Sequence, residues 1–213
     1  MTIISIICLS AFGLLLVTVL GWRVLGRRLS LPCPPALIWL LENRVMENVA
    51  GSTAIMERAG VARGMRVLDA GCGPGRVTIP MAKHVGPQGQ VVALDIQPRM
   101  LARLAERTVE HGITNVRAIH GGLGEGLLGT AEFDRAVMVT VLGEIPDRVA
   151  ALREIHDALK PGGLLSITEV LPDPHYQSRR AVRRMAEEVG FKVEEAYSGR
   201  RSFTLNLIRT GGA

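Results

Sequence analysis

Apolar and polar positions follow three regimes along the chain. From Ile3 to Leu20 there are eighteen residues without a charge, twelve of them Ile, Leu, Val or Phe. As a helix this run spans about 27 Å, close to the roughly 30 Å of bilayer hydrocarbon. Trp22 follows at an interfacial position, then Arg23, Arg27 and Arg28. Basic residues after the span place the rest of the chain in the cytoplasm. A cleavable leader is a poorer reading, because no basic n-region and no A-x-A-like site accompany the run.

The second regime begins at Leu31, where Pro32, Pro34 and Pro35 end any continuous helix and permit a new one to start. Leu37, Leu40, Leu41, Val45 and Val49 fall near one face, with Glu42, Glu47 and Asn48 elsewhere. The helix is amphipathic, and its apolar face suits either a membrane surface, with Trp39 against headgroups, or the core. The expected division is an anchor over 1–30, an amphipathic juxtamembrane or lid helix over 31–60 and a domain over 61–213.

After Gly64 the pattern alternates between strand-like and helix-like segments. Strands are predicted at Met65–Asp69, Val91–Asp95, Val116–Ile119, Asp134–Leu142 and Leu164–Val170. Helices are predicted at Arg76–His84, Arg99–His111, Arg148–Leu159 and Arg179–Val189. Two β-rich runs, Phe191–Tyr197 and Ser202–Arg209, are joined by the short turn Ser198–Arg201 and read as a hairpin. This alternation favours a parallel sheet with helices on both faces.

Length and composition agree with one α/β domain plus an appendage: 213 residues, 47% hydrophobic and only 4% aromatic. The three cysteines, Cys8, Cys33 and Cys72, form no C-x-x-C pair, so neither a disulfide framework nor a metal site is expected.

The candidate chemistry starts at Val67–Gly75, V-L-D-A-G-C-G-P-G. A P-loop needs a Gly-Lys that is missing here. A dinucleotide fingerprint needs G-x-G-x-x-G, whereas Gly71, Gly73 and Gly75 precede Arg76, one position early, and Asp69 precedes them all. The ligand therefore lacks a pyrophosphate. Asp95 ends the next strand, where a carboxylate can accept from both hydroxyls of a ribose.

D-A-G-C-G-P-G resembles the first motif of class I S-adenosylmethionine-dependent methyltransferases, and V-V-A-L-D-I resembles their second-strand motif. L-K-P-G-G-L-L-S-I-T-E is similar to their turn and fifth strand, and the resemblance covers about residues 45–210. It implies a Rossmann-like α/β sheet of seven strands with helices on both faces, and S-adenosylmethionine as cofactor. By the same resemblance Asp69, Ala70, Gly71, Gly73 and Gly75 border the methionyl end and Asp95 takes the ribose, with a helix-capping carboxylate as the alternative for Asp69. Ile96 and Leu123 pack on the adenine, and Thr140 completes the set. One departure stands out. The acidic residue that often receives the adenine amine falls at Gly122, leaving Glu125 or backbone groups as substitutes.

On the acceptor side V-T-V-L-G-E-I-P-D lacks the [DN]-P-P-[YF] of base-amine methylation. It resembles the L-H-E-I-P-D of small-molecule and quinone methyltransferases, with Gly143 in place of the histidine. Glu144 is what remains as a base there. T-E-V-L-P-D-P-H-Y follows the fifth strand and offers Glu169, Asp173, His175 and Tyr176. His175 is the best-placed acid–base candidate, with an ordinary loop histidine as its alternative, and Tyr176 stands beside it.

Pro35–Glu57 is the one available lid, which would open the pocket near the bilayer. The net charge of +5 and the cluster Arg179/Arg180/Arg183/Arg184 suit an anionic leaflet, with a merely solvated basic face as the alternative. No stacking aromatics point to nucleic acid. The expected function is methyl transfer to a lipophilic acceptor, a quinone precursor or a phospholipid amine, at the cytoplasmic membrane face. A diffusible thiol as acceptor and a non-catalytic binding protein are the alternatives. Oligomeric state is left open.

Overall fold

A computed structural model describes residues 51–171 and 173–210, together with Gly13 and Gly21, both helical. Apart from Gly13 and Gly21, the expected anchor lies outside the described residues, as does most of the expected lid. Among the described residues no helix is long and apolar enough to cross a membrane.

The element order is α1 (Ser52–Arg58), β1 (Arg66–Ala70), α2 (Thr78–Val85), β2 (Gln90–Asp95), α3 (Pro98–Glu110) and β3 (Val116–His120). There follow β4 (Phe133–Val139), a 3-10 turn (Leu142–Glu144), α4 (Arg148–Ala158), β5 (Leu159–Val170), α5 (Arg179–Glu188), β6 (Phe191–Ser198) and β7 (Ser202–Arg209). The strands form one seven-stranded sheet in the order β3-β2-β1-β4-β5-β7-β6. Its first five strands are parallel, and β7 is antiparallel to both β5 and β6. The Rossmann-like expectation and the terminal hairpin are both met.

Burial explains the strand composition. β1 and β2 are buried at nearly every position, as a strand covered on both faces must be. The edge strand β6 instead exposes Lys192, Glu194 and Glu195, charges that discourage edge pairing. One core cluster joins the sheet to α4 and α5 through Leu68, Met138, Leu152, Ile155 and Val182. On the other face Ile55 and Met56 of α1 pack with Val67, Met81 and Val137. The described end of the expected lid thus belongs to the core, each fully buried aliphatic contributing roughly 1.5–3 kcal/mol.

Two strand boundaries shift. β4 stops at Val139 rather than Leu142, because Thr140 adopts a φ of 56° that a ladder cannot hold. β5 starts at Leu159 rather than Leu164, because Leu159 pairs with Phe133 ahead of a register shift between Phe133 and Arg135.

The chain enters the sheet at β1, moves outward to β3, then returns to lay β4 on the other side of β1. That reversal opens a crevice at the carboxyl ends of β1 and β4, where open α/β sheets place their ligands.

Candidate functional site

A cavity of about 430 Å³ occupies that crevice, a size within the range of small-molecule sites. The loop after β1, the turn after β2, the β3–β4 loop and the segment after β4 all contribute to its wall.

The first wall is organised by two carboxylates. Asp95 is buried at the end of β2, where Oδ2 accepts from the Gly73 N–H and Oδ1 from the Gln97 N–H, each at 2.8 Å. It ties the glycine loop to the next turn, and a carboxylate with about four lone-pair sites retains acceptors for a diol. Burial raises its pKa, opposed by the two backbone N–H bonds. Asp69, also buried, accepts from the Thr78 hydroxyl at 2.6 Å, so it secures the first residue of α2 through its side chain. Burial pushes Asp69 up to about 6, against the Thr78 bond and Arg76, with Asp95 adding to the rise. Both carboxylates line the cavity.

The glycines divide their tasks. Gly73 lines the cavity at a φ of 53°, and a Cβ built on it would meet no atom within 4 Å, so the backbone is open to a ligand there. Gly75 does not line the cavity; a Cβ there would stand 2.4 Å from Leu104 Cδ1 of α3, so its role is helix packing. Gly71 lines the wall against Val141, whereas Ala70 is buried beneath it in β1. Cys72 is a buried free thiol, and burial pushes its pKa far up, which removes it as a nucleophile.

Ile96 and Leu123 both line the cavity, and Ile96 is 53% exposed at its mouth. Three residues after Gly122, a carboxylate turns back onto the same loop. Glu125 lines the cavity, its Oε2 accepts from the Gly122 N–H at 3.0 Å, and a Cβ at Gly122 would lie 2.7 Å from Glu125 Oε1.

The facing wall follows β4. Thr140 lines the cavity in left-handed backbone, rare for a β-branched residue, and a strained conformation persists only where its surroundings hold it. Its N–H donates to the Thr168 carbonyl at 2.9 Å and its hydroxyl to the Val139 carbonyl at 2.7 Å. The 3-10 turn then carries Glu144 into the wall among Val139, Val141 and Ile145. Arg148 pins that turn, donating from Nε to the Leu142 carbonyl and from Nη2 to the Gly143 carbonyl, each at 3.1 Å.

Of the three acid–base candidates, Glu144 alone lines the cavity. His175 is buried behind the turn, where a Cβ on Gly143 would stand 1.9 Å from its carbonyl oxygen. Tyr176 packs edge-on against Phe203, ring centroids 6.0 Å apart. Beneath them Glu169 is buried at the end of β5, accepting from the Gln177 N–H at 3.0 Å. Burial pushes it up to about 8, with the Gln177 bond and Arg148 opposing and Asp173 adding.

Arg148 and Thr78 escaped the sequence reading, since each acts through a contact between separate elements. Asp147 also lines the cavity and caps α4 through a 2.9 Å bond from the Ala150 N–H. Its place before a helical pattern was an available signal.

The chain matches the family described as a methyltransferase domain over residues 62–197. It is 36% identical over 115 residues to a demethylmenaquinone methyltransferase of Staphylococcus aureus, a match covering 54% of this chain and 47% of that protein. The matching stretch therefore spans about half the length of the curated relatives. A SAM-dependent methyltransferase from Aquifex aeolicus superposes with a TM-score of 0.79 at 23% identity, covering 84% of this chain and 100% of that one. A phosphoethanolamine N-methyltransferase of Haemonchus contortus, solved with phosphomonomethylethanolamine and S-adenosylhomocysteine, superposes at 0.61 with 25% identity, covering 68% of this chain and 38% of that one.

Proposed function

The chain belongs to the class I S-adenosylmethionine-dependent methyltransferase family, and from that membership we propose that it methylates a lipophilic acceptor, foremost a quinone precursor, at the cytoplasmic face of a membrane. The observation that carries this reading is a single cavity that joins the glycine loop and Asp95 on one wall to Glu144 among apolar side chains on the other.

The residues present fit S-adenosylmethionine. Open backbone at Gly73, spare lone pairs on Asp95 and a buried carboxylate at Asp69 suit a nucleoside that carries a cation. Bound there, the cofactor supplies a methyl group on a positively charged sulfur. Asp95 would take the ribose hydroxyls, Ile96 and Leu123 would hold the adenine, and Glu125 would accept from its amine. Thr140 and the turn behind it shape the acceptor side, where Val139, Val141 and Ile145 exclude water and hold a flat apolar ring in place. Glu144 is placed to take the proton of the acceptor hydroxyl, which would raise the electron density of the ring. The uncharged run Ile3–Leu20 is the proposed single-pass anchor that keeps the cavity near its lipophilic substrate.

The quinone precursor ranks first because a demethylmenaquinone methyltransferase is 36% identical over the shared stretch. A phospholipid amine is the second reading, favoured by the phosphomonomethylethanolamine bound in the Haemonchus structure and by the affinity of a carboxylate for an ammonium.

Calorimetric titration with S-adenosylmethionine comes first, with wild type binding and Asp95→Asn weaker by about tenfold or more. Methyl acceptance by a short-tailed demethylmenaquinol is then lost in Glu144→Gln while cofactor affinity is kept. Absence of cofactor binding to the folded wild type overturns the reading. Acceptance by phosphatidylethanolamine in place of the quinol selects the second acceptor.

A further inference from the structure

The carboxyl edge of the sheet carries a second set of residues that the proposed chemistry does not use. Val170 at the end of β5 pairs with Ser202 at the start of β7, and Phe203 pairs with Ser198 at the end of β6. Arg179, the first residue of α5, donates from Nη2 to Ser198 Oγ at 2.5 Å and lies over the Phe203 ring. The Leu171 N–H donates to the Arg201 carbonyl at 2.7 Å. The end of β5, the β6–β7 turn and the start of α5 therefore form one continuous rim.

That rim is amphipathic. Leu171 is 47% exposed, Arg179, Arg180, Arg200 and Arg201 are exposed, and none of the four joins an ion pair among the described residues. Two carboxylates stand nearby. Asp173 is half-buried and accepts from the His175 N–H, and Glu195 accepts from the Tyr197 hydroxyl at 2.5 Å. The cavity opens on the same edge of the sheet, where Ile96 adds a second exposed aliphatic side chain.

We propose that this edge docks on an anionic bilayer surface, with Leu171 entering the headgroup layer and the four arginines against lipid phosphates. The cavity mouth is thereby turned to the interface. An exposed leucine among the cations, with no aromatic ring exposed beside it among the described residues, favours lipid over nucleic acid, whose exposed bases are gripped by aromatic rings. Each arginine near an anionic leaflet strengthens association about fivefold. The proposal rests on the reading of a lipophilic acceptor at a membrane face and assigns the surface that meets the membrane.

The test uses the full chain with Cys8→Ser and Cys33→Ser, reconstituted in vesicles, with an environment-sensitive fluorophore on Leu171→Cys. A second preparation carries the probe on Val109→Cys, 82% exposed near the far end of α3. Vesicles are phosphatidylcholine alone or an equal mixture with phosphatidylglycerol, each doped with shallow nitroxide lipids. The probe at 171 is expected to be quenched strongly in the anionic vesicles and weakly in the neutral ones, with the probe at 109 unquenched in both. Adding Arg200→Glu and Arg201→Glu returns quenching at 171 to the neutral level. A chain that floats with vesicles while the 171 probe stays unquenched, or is quenched no more than the 109 probe, overturns the docking surface alone. A chain that fails to float overturns the membrane reading with it. A probe at 171 that ignores anionic lipid but responds to duplex RNA identifies a nucleic-acid surface and overturns the proposal.

Discussion

Gly143 is held to glycine by a neighbour's backbone. A methyl group there would stand 1.9 Å from the His175 carbonyl oxygen and 2.8 Å from His175 Cβ, with backbone as the obstacle. Gly143→Ala is expected to cost about 1–3 kcal/mol, read as a lower urea midpoint. It also displaces the turn that carries Glu144, so turnover falls more than cofactor affinity; equal losses in both would show that Glu144 keeps its place. The exchange of histidine for glycine at this position was legible in the sequence. Its reason was not, because His175 approaches from beyond α4 and β5. Gly122 teaches the same lesson from the other side: the missing acid was legible, while the carboxylate that Glu125 folds back against the Gly122 N–H depends on loop geometry.

At the level of elements, the segment after β4 is built from a strained residue, a pinned turn and a capped helix. Thr140 breaks the strand, Arg148 holds the 3-10 turn, and Asp147 satisfies the first-turn N–H of Ala150 in α4. An orphaned N–H at a helix start costs about 1 kcal/mol, so Asp147→Ala is expected to lower unfolding free energy by that amount in chemical denaturation. An unchanged midpoint would mean that another group replaces the cap. Ser178 performs the same task for α5, accepting from the Ala181 N–H at 3.3 Å. Helix starts of this kind are readable from local sequence. The early start of β5 is not, since Leu159 becomes strand only because Phe133 lies beside it.

For the molecule as a whole, buried acids set the response to pH. Burial holds Glu169 up at about 8 and Asp69 at about 6, and raises Asp95 as well. The folded state thus keeps protons that the unfolded chain has already released. Their contribution is full below the ordinary carboxylate range and is lost as pH rises through the raised values. Asp134 runs the other way: burial alone would raise it, but bonds from Lys160 and from the Arg66 N–H, with the charges of Lys160 and Arg135, lower it, so its contribution is lost on acidification. Stability is expected to decline from about pH 4 to about pH 8, by up to about 1.4 kcal/mol per pH unit for Glu169 alone. Glu169→Gln, which needs no proton to stay neutral, flattens that decline; parallel curves for the two proteins would place the titration elsewhere.

The order of strands and helices, the hairpin at the end, the glycine loop and Asp95 were all determined by the sequence, because periodicity, turn chemistry and short motifs act within a few residues. The tertiary structure alone decided that Gly75 serves helix packing, that His175 lies behind the turn and that Glu144 faces the cavity. Gly75 meets Leu104 only once α3 packs on the loop after β1, and the other two depend on elements that meet when β4 returns beside β1; no local pattern records which side chain will reach the crevice and which backbone will fill the space behind it.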